Sequence, residues 1–420
     1  MAILVNPTAI CNILTLRYNP EIKPLLPTKT WKDFQPDNAV ISIEHIENTI
    51  SGLLKQKIES NKIKKISIAL SGGIDSTLIL AMLRKLFPDI EIEAITIKFA
   101  KSTDESSVAA KIAENFEANH HIVYLENYLE ELPKAISVVN MPFWDLHWYH
   151  VAKKSQSLSK YLASGDGGDE LFGGYTFRYE KFLSLITQNS TPQEKVKAYL
   201  QCHERDRVPD QEKLFDTKAK FTWNAIYNVL LPYFDNSLSS LEQVFLADYN
   251  GKLLYNFNPV NTRILNHFQV EGINPLLSDN IISSATHISD MQKYDQNKNL
   301  GKLPLRELLK KYNAISFVPD QKLGFNVDTK NLWKSYGKSI CTEYLPNSFI
   351  ANDGWINKKW ITNYINRDDL DIRYINKFLG LLAFEIWYRL FVTKDMNENE
   401  KLQVLFNLKL LITSDKQDFI

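Results

Sequence analysis

Two short glycine-rich strings hold the residues best suited to chemistry. The first is Ser71-Gly72-Gly73-Ile74-Asp75-Ser76 and the second is Ser164-Gly165-Asp166-Gly167-Gly168-Asp169-Glu170. Adjacent glycines let a backbone approach an anion closely and turn its N–H groups inward. Ser71 and Ser76 add hydroxyl donors. A carboxylate such as Asp75 repels phosphate unless a cation stands between them, so the first string reads as a phosphate loop with Mg2+. The alternative is a plain strand–turn–helix junction in which Asp75 and Ser76 cap the helix. The string lacks the Gly-Lys-Ser/Thr ending of the Walker-type loop, which argues against a kinase or GTPase. The second string crowds acids among its glycines, and that crowding needs protons or cations to offset repulsion. Brought beside the first, Asp169 and Asp75 would share one Mg2+ site. A calcium loop of the EF-hand type needs a different spacing.

These strings need strand ends to hold them. Ile66 to Leu70 reads as a short buried strand, and Thr77 to Phe87 as a helix stopped by Pro88. Ile92 to Phe99 is a second strand, Asp104 to Phe116 a second helix, and His121 to Leu125 a third strand. Helices follow near 127–138 and 147–159, and Lys160 to Ala163 leads into the second loop. Strands alternating with helices imply right-handed crossovers and a parallel sheet with helices on both faces. Such sheets bind ligands at the carboxyl ends of their strands. Upstream, residues 1–35 are irregular and proline-spotted and read as a wrapping arm or a short sheet fragment, and Ile41 to Ile58 shows helical spacing. Beyond residue 177 strand signals fade, and Phe182–Ile186, Val196–Leu200, Leu241–Phe245 and Ile372–Phe391 look helical. The expected organisation is an arm over 1–40, an α/β core over 41–177, a helical lobe over 178–394 and a tail over 395–420. The tail's Leu402 to Ile412 is amphipathic and reads as a docking segment.

Composition narrows the partners. The 420 residues are 44% hydrophobic and 23% charged, and Lys+Arg and Asp+Glu both total 49. Zero net charge gives no global attraction to nucleic acid or to an anionic membrane. No apolar run approaches the ~20 residues that span a bilayer. Cys11, Cys202 and Cys341 lie far apart and form neither a metal-ligand pattern nor a disulfide framework. With no secretory signal at the first residues, a reducing cytoplasm is the expected location.

Together the two strings resemble the synthetase domain of type-B asparagine synthetases and their β-lactam synthetase relatives, ATP pyrophosphatases with a Ser-Gly-Gly-x-Asp-Ser loop. The resemblance runs from about residue 40 to 392. Asp104-Glu105, His120-His121 and Asn140-Met141-Pro142-Phe143-Trp144-Asp145 resemble family segments. So does the stretch Asp248 to Glu271, with Arg263 and Pro275 in place. Lys302-Leu303-Pro304-Leu305-Arg306 and Lys322-Leu323-Gly324-Phe325 resemble the family's Lys-x-x-Leu-Arg and Lys-x-Gly-Phe strings.

The resemblance implies a five-stranded parallel sheet of the adenine nucleotide alpha hydrolase type plus a helical C-terminal lobe. It implies ATP and Mg2+ as cofactors. ATP phosphates would lie on Ser71, Gly72, Gly73, Asp75 and Ser76, with Lys302 nearby and Mg2+ on Asp75 and Asp169. Adenine would lie near Ala69, Leu70, Ile97, Ser164 and Gly165. A small-molecule or peptide carboxylate would attack the α-phosphate, release pyrophosphate and then meet an amine. Lys322 would neutralise developing charge. Glu271 and Asp166 would handle the amine's protons.

The chain departs from that pattern in places. Ala2 stands where glutamine-using members have cysteine, and only 70 residues precede the phosphate loop. The expected amine source is therefore free ammonia, a separate glutaminase or the substrate itself. Asp166 replaces a common Glu, and Val260 and Thr262 replace Lys and Asp. Gly272-Ile273-Asn274 and Leu146-His147-Trp148 also differ. Trp144, His147, Trp148 and His150 either line a bulkier acceptor pocket or pack in the core. The readings weighed are a specialised amide ligase, an ammonia-dependent asparagine synthetase, a non-catalytic nucleotide-binding subunit, and thiolation or amidation of an RNA base, against which zero net charge and the absence of CxxC pairs argue.

Overall fold

The computed structural model of the chain describes residues 5–36, 42–100, 106–319 and 327–403. Asp104, Glu105, Lys322 and most of the tail lie outside these residues. The sheet is built from β1 (Lys65–Ala69), β2 (Glu91–Phe99), β3 (Asn119–Leu125), β4 (Tyr161–Ala163) and β5 (Glu271–Ile273). All pairings are parallel, in the order β3-β2-β1-β4-β5. Ile68 pairs with Ala94 on one side and Ala163 on the other. β1 is apolar along most of its length because both its faces are covered, as parallel strands require.

Helix α1 (Pro7–Leu16) corrects the expectation of an irregular arm. Pro7 sits in the first turn, where its missing N–H costs nothing, and Asn6 caps the N–H groups of Thr8 and Ala9. Ser42 caps α2 (Ile43–Ser60) by accepting from His45. α3 (Ile74–Leu86) follows β1, and α4 (Ser106–Asn115) joins β2 to β3. α5 (Leu132–Val139) and α6 (His147–Gln156) lead into β4. β5 lies in the region where no strand was expected, and it extends the sheet beyond β4. Helices dominate from Thr176 onward, and Ile372–Tyr388 is the longest of them there.

Two hydrophobic clusters fill the molecule. One joins Ile66, Ile68, Leu78 and Ala109 to Phe245 and Leu305. The other joins Ile95, Ile97, Ile136 and Trp148 to Trp360 and Phe378. Each therefore draws on residues from both sides of position 177. Among the described residues no helix is long and apolar enough to cross a membrane.

The strand order turns back at β1: β2 and β3 follow on one side, β4 and β5 on the other. Such a switch point opens a crevice at the carboxyl ends. Both glycine-rich loops emerge there, one from β1 and one from β4.

Candidate active site

The first loop is tied together by its own hydroxyls. Ser71 N–H donates to Ser76 Oγ, and Gly73 N–H donates to Ser71 Oγ, both at 3.3 Å. Ser76 Oγ donates to Gly73 O at 3.3 Å. Gly72 adopts φ +74°, and a Cβ there would stand 3.1 Å from Val108 Cγ1. The turn thus depends on glycine both for its backbone and for its neighbour. Ala69, Leu70 and Ile97 are buried at the carboxyl ends of β1 and β2. Leu70 N–H donates to Ile95 O at 2.9 Å, and Leu70 O accepts from Thr96 Oγ1 at 2.8 Å.

The second loop lies directly on the first. A Cβ on Gly165 would come within 2.6 Å of the Asp75 carbonyl carbon, and one on Gly168 would overlap the Asp75 carboxylate. Ser164 N–H donates to Ile273 O at 3.1 Å, which fixes the loop to β5. The short helix α7 (Gly168–Phe172) carries Asp169 in its first turn.

Lys302 closes the group. Its ammonium lies 2.5 Å from Asp75 Oδ2 and 2.7 Å from Asp169 Oδ1. Burial works against the charged amine, but Asp169 and Asp75 outweigh it and hold the pKa above the ordinary lysine value. These two carboxylates also fit Mg2+. One cation already bridges hard oxygen donors from both loops, and Mg2+ prefers one or two carboxylates completed by substrate phosphates. Among the described residues no group of three or more His, Cys, Asp or Glu forms an all-protein metal cage.

Asp166 stands beside this group. Burial pushes its carboxyl up to about 7, with Asp75 and Asp169 adding to the rise. Hydrogen bonds from Asn261 and Ser164 oppose it. Asn261 Nδ2 donates to Asp166 Oδ2 at 2.9 Å from the helix Asn258–His267. A carboxyl titrating near neutrality can take and return a proton at working pH. Asn261 was missed in the sequence, and its position between Val260 and Thr262, which differ from the family, was the available signal.

Glu271 is not brought here. It is the first residue of β5, pairs in register with Tyr161 and makes a 3.8 Å ion pair with Lys57 in the last turn of α2. That is the amino edge of the sheet, opposite the loops. The expected placement of Glu271 beside the loops with Asp166 is therefore corrected: of these two residues only Asp166 lies next to Asp75 and Asp169. Lys322 lies outside the described residues.

The N-terminal segment contributes a residue that sequence reading left aside. Arg17, at the left-handed end of α1, pairs with Asp145 and lies 5.9 Å over the Trp144 ring. Asn256 Nδ2 holds Arg17 O at 2.7 Å. Asn256 precedes Asn261 by five residues in a continuous helical run. Arg17, Trp144 and Lys377 line a narrow cavity of about 30 Å3. Trp148 and Trp144 are buried in the core, and His150 packs against Tyr128 and Tyr149. Burial pushes the His150 imidazole down to about 4.

Known proteins are similar to this chain in sequence. Residues 60–389 match the asparagine synthase family. Asparagine synthetase [glutamine-hydrolyzing] 1 of Bacillus subtilis is 25% identical over 345 residues, covering 75% of this chain and 51% of that protein. Putative asparagine synthetase [glutamine-hydrolyzing] 2 of Methanocaldococcus jannaschii is 32% identical over 124 residues, covering 28% of this chain and 24% of that protein. The chain thus spans about half the length of the first relative and less of the second. Among solved structures, NMN synthetase from Francisella tularensis is similar at a TM-score of 0.26 and 12% identity, covering 55% of this chain and 93% of that one. The matched family and the paired loops at the switch point agree: this chain belongs to the asparagine synthase family.

Proposed function

We propose that the chain is an ATP-dependent ligase that activates a carboxylate as its acyl-adenylate and converts it to an amide. The observation that carries this reading is the convergence of Asp75, Asp169 and Lys302 on the Ser71–Ser76 loop. In the first step a carboxylate oxygen attacks the α-phosphorus, and the bond to the β-phosphate breaks, releasing pyrophosphate. In the second an amine nitrogen attacks the acyl carbon, and AMP leaves with the bonding electrons. The nitrogen loses a proton, and Asp166, whose carboxyl is raised to about 7, is assigned to accept it.

The loop's serine hydroxyls and inward N–H groups cradle the phosphates. Asp75 and Asp169 would hold Mg2+, whose charge offsets that of the phosphates. Lys302 adds a buried cation beside them. Ala69, Leu70, Ile97, Ser164 and Gly165 are assigned to the adenine. Lys322 is assigned to charge neutralisation at phosphorus, on the resemblance of its string alone.

The amine comes from ammonia, from a separate glutaminase or from the acceptor. A second reading, with aspartate and ammonia as substrates, is favoured by the family match. The test is pyrophosphate release from Mg-ATP across a panel of carboxylates, with and without ammonium. Release with at least one carboxylate is expected, and Asp75→Ala should abolish it while the circular dichroism is unchanged. Full turnover in that variant overturns the proposal.

A further inference from the structure

Lys302 does more than neighbour the carboxylate pair; the backbone is shaped to deliver it. The residue adopts φ +58° and ψ +36°, a left-handed conformation that a non-glycine residue takes at a cost. Its N–H donates to Phe172 O at 3.0 Å, and its side chain is only 8% exposed. Gly174 has no Cβ where one would overlap both the Asp169 carboxylate and Lys302 Cε. The ammonium nitrogen lies 2.5 and 2.7 Å from oxygens of Asp75 and Asp169. A Mg2+ ion binding those oxygens at about 2.1 Å would overlap it.

We propose that Lys302 is the resting counter-ion of Asp75 and Asp169 and competes with free Mg2+ for them. Metal enters together with nucleotide phosphates, because these give the displaced ammonium a new anionic partner. Free metal binds only the form in which lysine has swung away, so its apparent affinity falls in proportion to that form's population. This inference rests on the reading of the loops as a Mg-ATP site.

The experiment is Mn2+ binding to the full chain without nucleotide, followed by the electron paramagnetic resonance of the free aqua ion. Lys302→Met is expected to bind one Mn2+ per chain at least about tenfold more tightly than the wild type. The double variant Lys302→Met/Asp169→Asn is expected to lose that gain. Equal affinity in wild type and Lys302→Met overturns the inference, as does a gain that persists in the double variant. If Lys302→Met is too unstable to titrate, its melting temperature should rise saturably with Mg2+ towards the wild-type value, and the absence of any rise overturns the inference. Pyrophosphate release enters neither readout. A chain that releases none but shows the metal gain keeps this inference and loses the ligase reading, and the converse result does the reverse.

Discussion

Asn261 donates a 2.9 Å hydrogen bond to Asp166 from a helix about 95 residues further along the chain. The bond lowers the carboxyl's pKa against the burial that raises it. This contact sets up an acid that titrates near neutrality beside two further carboxylates.

Asp166→Asn tests that acid in two ways. A carboxyl whose folded pKa is raised favours the fold fully below the unfolded value near ~3.9 and loses that contribution as pH rises through about 7. The variant should therefore match or trail the wild type at pH 5 and exceed it at pH 8. After discounting for the side chain's partial exposure, the gain is about 1–2 kcal/mol. Denaturant melts at the two pH values measure it. Pyrophosphate-coupled amide formation should also lose its rise between pH 6 and 8, taken as roughly one unit either side of the titration.

Gly165→Ala should disturb the site without removing any side-chain functional group. The new methyl would meet the Asp75 backbone at 2.6 Å, and neither chain can yield cheaply. A loss of about 1–3 kcal/mol is expected, together with weaker ATP binding by calorimetry. Wild-type affinity in this variant would mean that the two loops do not lie in contact.

Glu271→Ala should be nearly silent. The residue is half-buried and its ion pair with Lys57 is long, so the stability change should stay within about 0.5 kcal/mol. Pyrophosphate release should stay within about twofold. A drop of more than tenfold would return Glu271 to the catalytic group.

Arg17 and Asp145 should be coupled. Burial disfavours the guanidinium, yet Asp145 and Asp206 keep its pKa above the ordinary value. A double-mutant cycle with Arg17→Met and Asp145→Asn should give a coupling of about 1–3 kcal/mol. Strict additivity would show that the Arg17–Asp145 pair adds nothing beyond the two residues taken singly.

The loop from β1 into α3 was legible because a buried apolar run, a glycine pair and a helical pattern stand in sequence. Other features were hidden for physical reasons. β5 has three residues, too few for any period, and its place is fixed by pairing with β4. α1 was masked by prolines, although Pro7 occupies the one helical position that favours it. Lys302 was visible through resemblance, but its grip on two carboxylates from separate loops appears only when the chain is folded. Glu271 was misplaced because matching spacing says nothing about which end of a strand a residue occupies. The expected docking segment from Leu402 begins with that residue bonded to Glu130 and Asn127, and residues from 404 onward lie outside the described part.

The two hydrophobic clusters each take side chains from before and after position 177. The chain therefore has no portable half. A fragment ending there would keep both glycine-rich loops yet lose Lys302, Asn261 and partners of Ile68 and Ile97, so the candidate site is the shared property of both parts of the chain.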